Sequence, residues 1–266
     1  MSYKYIDLKI ENHVATVTMA RMEALNALSL ELASEIASTF RELGANDDVR
    51  AIILCSKARI FCAGLDLKEA AAAANVTPKG VLDIIQKFQP LFDCCNFIEE
   101  CPKPVIAAVH GKCIGGGLHI ISACDIRLCT EDATFCLKEP KIGLVADMGA
   151  LQRLPLIMGQ GFTREIAFTV DNYSARQAEK MGLVNNVYAD QNSLYKAARQ
   201  MALKITENAP LAIKCTKEVL NFSRYVNVYE GMALAIQKNA TMLLTDDLKE
   251  AMMSFLERRQ ANFQGK

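Results

Sequence analysis

The hydrophobic and polar positions change period several times along the chain. Tyr5 to Ile10 and His13 to Met19 alternate apolar and polar residues around Glu11-Asn12, which predicts an opening hairpin. Ser29 then precedes Leu30, Leu32, Ile36 and Phe40 at helical spacing, and Gly44 falls where that helix should stop. Ala51 to Cys55 and Val105 to Val109 are short apolar runs of the buried-strand type, and Ile126 to Cys129 and Ala133 to Leu137 resemble them. Leu67 to Ala74 reads as helical. Thr77-Pro78 has the signature of a helix start, with Val81, Ile84, Ile85, Phe88, Leu91 and Phe92 keeping a 3.6-residue period up to Pro102.

A glycine-punctuated loop, Lys138 to Gly149, separates this region from a mainly helical remainder. There Ser174 and Gln177 form a capping-box pattern, Gly182 supplies a stop, and Val184 to Val187 reads as a last short strand. Helical patterns follow over Ser193 to Ile205, Leu211 to Phe222, Val228 to Met242 and Asp247 to Gln260. The alternation of strands and helices gives way to helices alone near residue 200. The expected division is therefore 1–200 for an α/β core and 201–266 for a C-terminal helical region.

Two stretches repeat one plan. Ala51 to Cys55 leads through a polar loop to Ala63-Gly64, and Val105 to Val109 leads through a similar loop to Gly115-Gly116-Gly117. Each places lightly covered N–H groups at an expected helix start, where donors without partners and the positive dipole end accumulate. The pair can converge on one oxygen as an oxyanion hole, or the glycines can simply let a helix pack closely on a strand.

Composition narrows the chemistry. The chain has 266 residues and 51% of them are hydrophobic, enough for a large core. Thirty Lys plus Arg balance 30 Asp plus Glu, and no dense basic block occurs, which argues against nucleic-acid binding. The N-terminus lacks a secretory h-region, so the ten cysteines are expected to be reduced, in an intracellular compartment. No C-x-x-C or H-E-x-x-H occurs, and no metal is expected. The segment from Pro104 to Cys124 is too interrupted by polar and glycine residues for a membrane span. G-x-S-x-G, G-x-G-x-x-G and Walker A patterns are absent. Glu139 and Asp147 lie in the loop after Leu137 among apolar neighbours, which favours proton shuttling, although a loop carboxylate is as readily solvated surface. His119 is either a third actor or a hydrogen-bonded core imidazole.

Phe61-Cys-Ala-Gly-Leu-Asp66, Lys103-Pro-Val-Ile-Ala-Ala-Val-His-Gly111, Ile114-Gly-Gly-Gly-Leu118, Cys124-Asp-Ile-Arg127 and Leu151-Gln-Arg-Leu154, in this order, resemble the enoyl-CoA hydratase/isomerase (crotonase) superfamily. The likeness extends to the terminal Phe255-Leu-Glu-Arg-Arg-Gln-Ala-Asn-Phe263. It implies an α/β fold: a crotonase-type spiral of strand–strand–helix repeats with a C-terminal helical trimerisation region, assembled as a homotrimer or a dimer of trimers. It also implies an acyl-CoA thioester substrate, coenzyme A being part of that substrate and no cofactor being needed.

The oxyanion donors map to Ala63 and Gly116, the catalytic carboxyls to Glu139 and Asp147, and CoA contacts to Phe255 and Arg258, unless these last two belong to a solvated helix face. An acidic residue at Asp147 is most like dienoyl-CoA isomerases, which move double bonds from the 3,5 to the 2,4 positions. The departure is His119, where relatives carry a carboxylate; it would support Glu139 as a donor. A second departure is Met22-Glu23 in place of a Pro-Lys pair. The alternatives are 2-enoyl-CoA hydration, 3-enoyl-CoA isomerisation, or a non-enzymatic module binding acyl-CoA or RNA. Mitochondrial matrix, peroxisome and cytosol all remain open.

Overall fold

A computed structural model describes residues 3–73 and 80–266. The hairpin forms as β1 (Ile6–Glu11) and β2 (Val14–Met19), antiparallel, with Asn12 and His13 at positive φ in the turn. From β2 the sheet continues in parallel through β3 (Ala51–Ser56), β4 (Val105–Val109), β6 (Ile126–Thr130) and β9 (Asn186–Tyr188). A smaller sheet joins β5 (Lys112–Ile114), β7 (Thr134–Cys136) and β8 (Tyr173–Ser174).

Every residue of β3 and β4 is buried because both sheet faces are covered. Ile52 and Leu54 pack with α1 (Leu30–Ala45) and its neighbours in the larger core cluster, while Ala51, Ile53 and Cys55 face Leu194, Ala198 and Ala202 of α7 (Gln191–Thr206). Ser29 caps α1 by accepting the Leu32 N–H at 3.1 Å. Leu32, Ile36 and Phe40 are fully buried, each contributing on the order of 1.5–3 kcal/mol. The helix runs through Gly44 to Ala45 rather than stopping at the glycine. Gly44 serves packing: a Cβ there would stand 3.1 Å from Pro102 Cδ.

Leu67–Ala73 is α2 and Val81–Glu100 is α3. The expected start at Thr77-Pro78, the residue Ala74 and the side chain of Ile84 lie outside the described residues. The apolar stripe of α3 is not all core. Val81 and Ile85 are 55% and 50% exposed, and burial begins at Leu91. Gly116–Ala123 forms α4, entirely buried, and Ala150–Thr169 forms α5.

The Ser174/Gln177 box caps α6 (Ala175–Met181), and Gly182 ends it in the left-handed conformation. Leu183 and Val184 bond back to Ala178 O as part of that cap, so β9 starts later than the apolar run suggests. The remaining helices are α8 (Pro210–Phe222), α9 (Val228–Met242) and α10 (Asp246–Glu257). Residue 200 lies inside α7, a single helix packed on the sheet.

Candidate active site

The two echoing turns are bound to each other. Cys62 N–H donates to Lys112 O and Ile114 N–H to Cys62 O, both at 3.1 Å, forming a parallel bridge between Cys62 and Cys113. A Cβ on Gly64 would meet Ile114 O at 3.2 Å. One on Gly116 would stand 2.6 Å from Leu28 Cδ1 and 3.6 Å from the carbonyl carbon of Gly64, the atom bonded to Leu65 N. Gly64 is fitted to its positive φ and to the nearby Ile114 backbone, and Gly116 to the Leu28 side chain, and this packing brings the Gly64–Leu65 and Gly115–Gly116 peptides together.

The N–H of Ala63 is not open. It donates to Leu25 O at 3.1 Å, and Gly64 N–H points to Cys62 Sγ. Among the described residues, the N–H groups of Leu65 and Gly116 have no protein acceptor. Of the two donors expected from the sequence, Ala63 and Gly116, only Gly116 has an N–H without a protein acceptor; in the first turn such an N–H belongs to Leu65, two residues after Ala63. The deciding partner is Leu25, which with Asn26 adopts positive φ. Buried Asn26 ties this bend to Ser56 Oγ and Phe61 O at 2.8 and 3.1 Å.

Both peptides line a cavity of about 510 Å³. Leu67, Ile85, Phe88, Leu91 and Phe92 form one apolar wall, which accounts for the exposure of Ile85 though not of Val81. Opposite is the loop from Leu137 to α5, and from it Glu139 and Asp147 both reach the cavity. Glu139 starts a short 3₁₀ turn, Glu139–Ile142, and packs on Gly115: a Cβ there would come within 2.9 Å of its Oε1. Asp147 lies farther along an extended stretch in which Ala146 and Met148 are buried while Val145 and Asp147 are exposed.

His119 is buried at the base of this arrangement. Its Nδ1 accepts the Ala150 N–H at 3.1 Å, so the ring proton belongs on Nε2, which lies 3.2 Å from Glu139 Oε1. That contact is an approach rather than a formed hydrogen bond: Nε2 is left without a partner, and so is the other carboxylate oxygen, Glu139 Oε2.

Phe255 and Arg258 are not brought to this cavity. Phe255 is 82% exposed on α10 and Arg258 caps that helix at positive φ. Among the described residues, no three His, Cys, Asp or Glu side chains gather as a metal set, and no helix is long and apolar enough to cross a membrane.

A mostly parallel sheet covered on both faces, with paired turns at the mouth of an apolar cavity, defines an α/β protein of the crotonase fold. The Bacillus anthracis enoyl-CoA hydratase structure superposes with a TM-score of 0.92 at 29% identity, covering 99% of this chain and 100% of that one. A family model described as enoyl-CoA hydratase/isomerase matches residues 9–266, and the chain belongs to that family. It is 36% identical to the mitochondrial Delta(3,5)-Delta(2,4)-dienoyl-CoA isomerase of Dictyostelium discoideum over 98% of this chain and 92% of that protein. It is 37% identical to the peroxisomal enzyme of the same name from Arabidopsis thaliana, over 98% of each.

Proposed function

We propose that this protein is an isomerase of acyl-CoA thioesters that converts 3,5-dienoyl-CoA to 2,4-dienoyl-CoA in fatty-acid oxidation. One observation carries the reading: two carboxyls from one loop, Glu139 and Asp147, enter the same apolar cavity as the acceptor-free N–H groups of Leu65 and Gly116.

The thioester oxygen lies between Leu65 N–H and Gly116 N–H, a donor pair that replaces Ala63 with Leu65. Glu139 takes a proton from C2 and the electron pair moves onto the oxygen, where charge-assisted hydrogen bonds gain strength as negative charge builds. Asp147 then gives a proton to C6, the double bonds settle at the 2,4 positions, and the two carboxyls reset through solvent. His119 supports Glu139 from 3.2 Å. No step needs a cofactor; coenzyme A enters as part of the substrate.

Hydration of a 2-enoyl ester fits less well, because position 119 offers an imidazole rather than a second carboxylate to hold water beside Glu139. A 3-enoyl shift by Glu139 alone is the second reading, favoured by that same single carboxylate next to the donors. The test is turnover of matched dienoyl and enoyl thioesters, with Asp147→Asn. The diene shift should fall about 10²–10⁴-fold. Undiminished turnover overturns the assignment, and CoA binding without chemistry on any ester supports a binding module instead.

Self-association fits the C-terminal helices, where Leu220, Tyr225, Tyr229, Ile236, Leu244 and Phe255 are each more than half exposed. A trimer or dimer of trimers would cover them. Phe255 and Arg258 could then hold a nucleotide only against another chain's cavity. Ten unpaired cysteines, nine of them buried, support an intracellular, reducing setting.

A further inference from the structure

Arg153, from the Leu151-Gln-Arg-Leu154 motif, is buried against the loop that carries both carboxyls and touches neither. Its side chain leans back toward the start of α5, as helical side chains do. There Nη1 donates to Met148 O at 3.1 Å, the carbonyl immediately after Asp147. Nε and Nη2 grip Glu99 Oε2 of α3 at 3.0 and 2.7 Å, and Nη2 also reaches Asn96 Oδ1 at 3.0 Å. Glu99 is held in turn by Arg224, and its carbonyl by Asn221 Nδ2 at 3.1 Å. Gly149 belongs to the same device: at φ +96, any Cβ there would overlap Arg153 Nη1.

The loop needs such a clamp. Among the described residues, none of the N–H groups of 145–149 has a protein acceptor, so no ladder fixes this stretch. Its polar anchors are Met148 O on the Arg153 side chain, Gly149 O, which accepts the Gln152 and Arg153 N–H groups at the start of α5, and, one residue past the stretch, Ala150 N–H on His119. Glu139 is secured differently, by its own 3₁₀ turn, where Leu144 N–H returns to Glu139 O at 3.0 Å, and by its packing on Gly115. His119 stands beside both carboxyl supports, so Arg153 is the anchor that the Asp147 stretch has and Glu139 lacks.

We propose that Arg153, oriented by Glu99, is a positioning residue for Asp147 and acts on the second proton transfer without acting on the first. This rests on the dienoyl-CoA isomerase reading above. A shift of Asp147 by about 1 Å is enough to slow delivery at C6 on the order of 10²-fold, because proton transfer demands near-contact geometry. Removal of the C2 proton by Glu139 continues, and the intermediate returns to substrate.

The experiment follows 3,5-dienoyl-CoA in D₂O with wild type, Arg153→Lys and Glu99→Gln. It reads product formation, deuterium at C2 of recovered substrate by mass spectrometry, and melting temperature. Arg153→Lys keeps the charge and loses the two-pronged grip. Glu99→Gln keeps the shape of the partner and serves where the lysine variant does not fold. The expected result is a kcat for conversion at least about tenfold lower, KM within about threefold, and an exchange-to-conversion ratio raised at least about fivefold. A ratio unchanged from wild type, or exchange lost in parallel with conversion, overturns the assignment while leaving the functional reading intact. A wild-type protein without diene turnover overturns both.

Discussion

Gly115→Ala tests whether Glu139 works from the position it occupies against the glycine turn. The residue has φ +49 and ψ −111, outside the regions open to alanine, so backbone strain alone costs about 1–3 kcal/mol. The new methyl would also stand 2.9 Å from Glu139 Oε1, well inside ordinary contact, and the carboxylate would have to withdraw by roughly half an ångström. A 1 Å misplacement of a reacting group can cost about 10²-fold, so kcat for the diene shift should fall roughly 10- to 100-fold.

Gly182→Ala is the control, since it also puts alanine at positive φ, in the milder left-handed region at φ +82, but lies outside the cavity, with only Ile157 O near its Cβ, at 3.5 Å. Both variants should lose a few degrees in melting temperature, at about 2–4 °C per kcal/mol for a chain of this size. Only Gly115→Ala should lose turnover beyond that. Equal kcat in the two, at matched thermal loss, would refute the placement of Glu139 as the base beside the donor pair.

Two further outcomes follow from burial and charge. Burial pushes the thiols of Cys62, Cys124 and Cys129 up to about 12, and Cys215 alone is partly accessible. A thiol reagent at pH 8 should therefore label no more than one cysteine per native chain and ten after denaturation, counted by intact mass; several fast native labels would contradict the core described. Asp66, bonded to Arg21 at 2.8 Å, is subject to burial, which raises its pKa, but Arg21 and the Lys68 N–H outweigh this and hold the carboxyl below its ordinary value. A carboxyl depressed in the folded state adds stability above its unfolded pKa, near 4, and loses it as pH falls through the folded value. Asp66→Asn should thus cost on the order of 1.5–3 kcal/mol at neutral pH. Its melting-temperature gap to wild type should close below about pH 4; a gap independent of pH would show that the ion pair does not carry it.

What the sequence made legible was whatever rests on local period or local chemistry. Continuous apolar runs marked β3 and β4 because both faces of the sheet are covered, and Ser29, Ser174 and Gly182 marked helix ends through bonds made within a few residues. The loop carboxyls Glu139 and Asp147 were visible because they interrupt an apolar neighbourhood, and both line the cavity.

Features set by distant partners were not legible. Which N–H of the first turn is open depends on Leu25 O, delivered by a left-handed bend at Leu25 and Asn26 that no glycine announces. The Arg153–Glu99 contact spans 54 positions between helices whose periodicity describes only their apolar faces. The 3.6-residue period of α3 did not reveal which residues would line a cavity, because a cavity wall and a core wall have the same apolar spacing; only the volume in front of Ile85 and Phe88 separates them.

His119 decides what Glu139 faces inside the protein. A carboxyl at this place would face Glu139 with another acceptor, and two such groups share a proton or hold a water between them. The imidazole instead spends Nδ1 on the Ala150 N–H, which assigns its proton to Nε2 on the side of Glu139. Glu139 then faces a donor, and on the isomerase reading proposed above the group that acts at a second carbon is Asp147, farther along the loop. Chemistry that needs two carboxyls on one water loses its partner, while chemistry that needs one proton removed near the thioester and another delivered down the chain keeps both. The same ring is bonded at the base of α5, one residue after Gly149, so the support of Glu139 and the anchoring of the Asp147 loop meet at a single buried side chain.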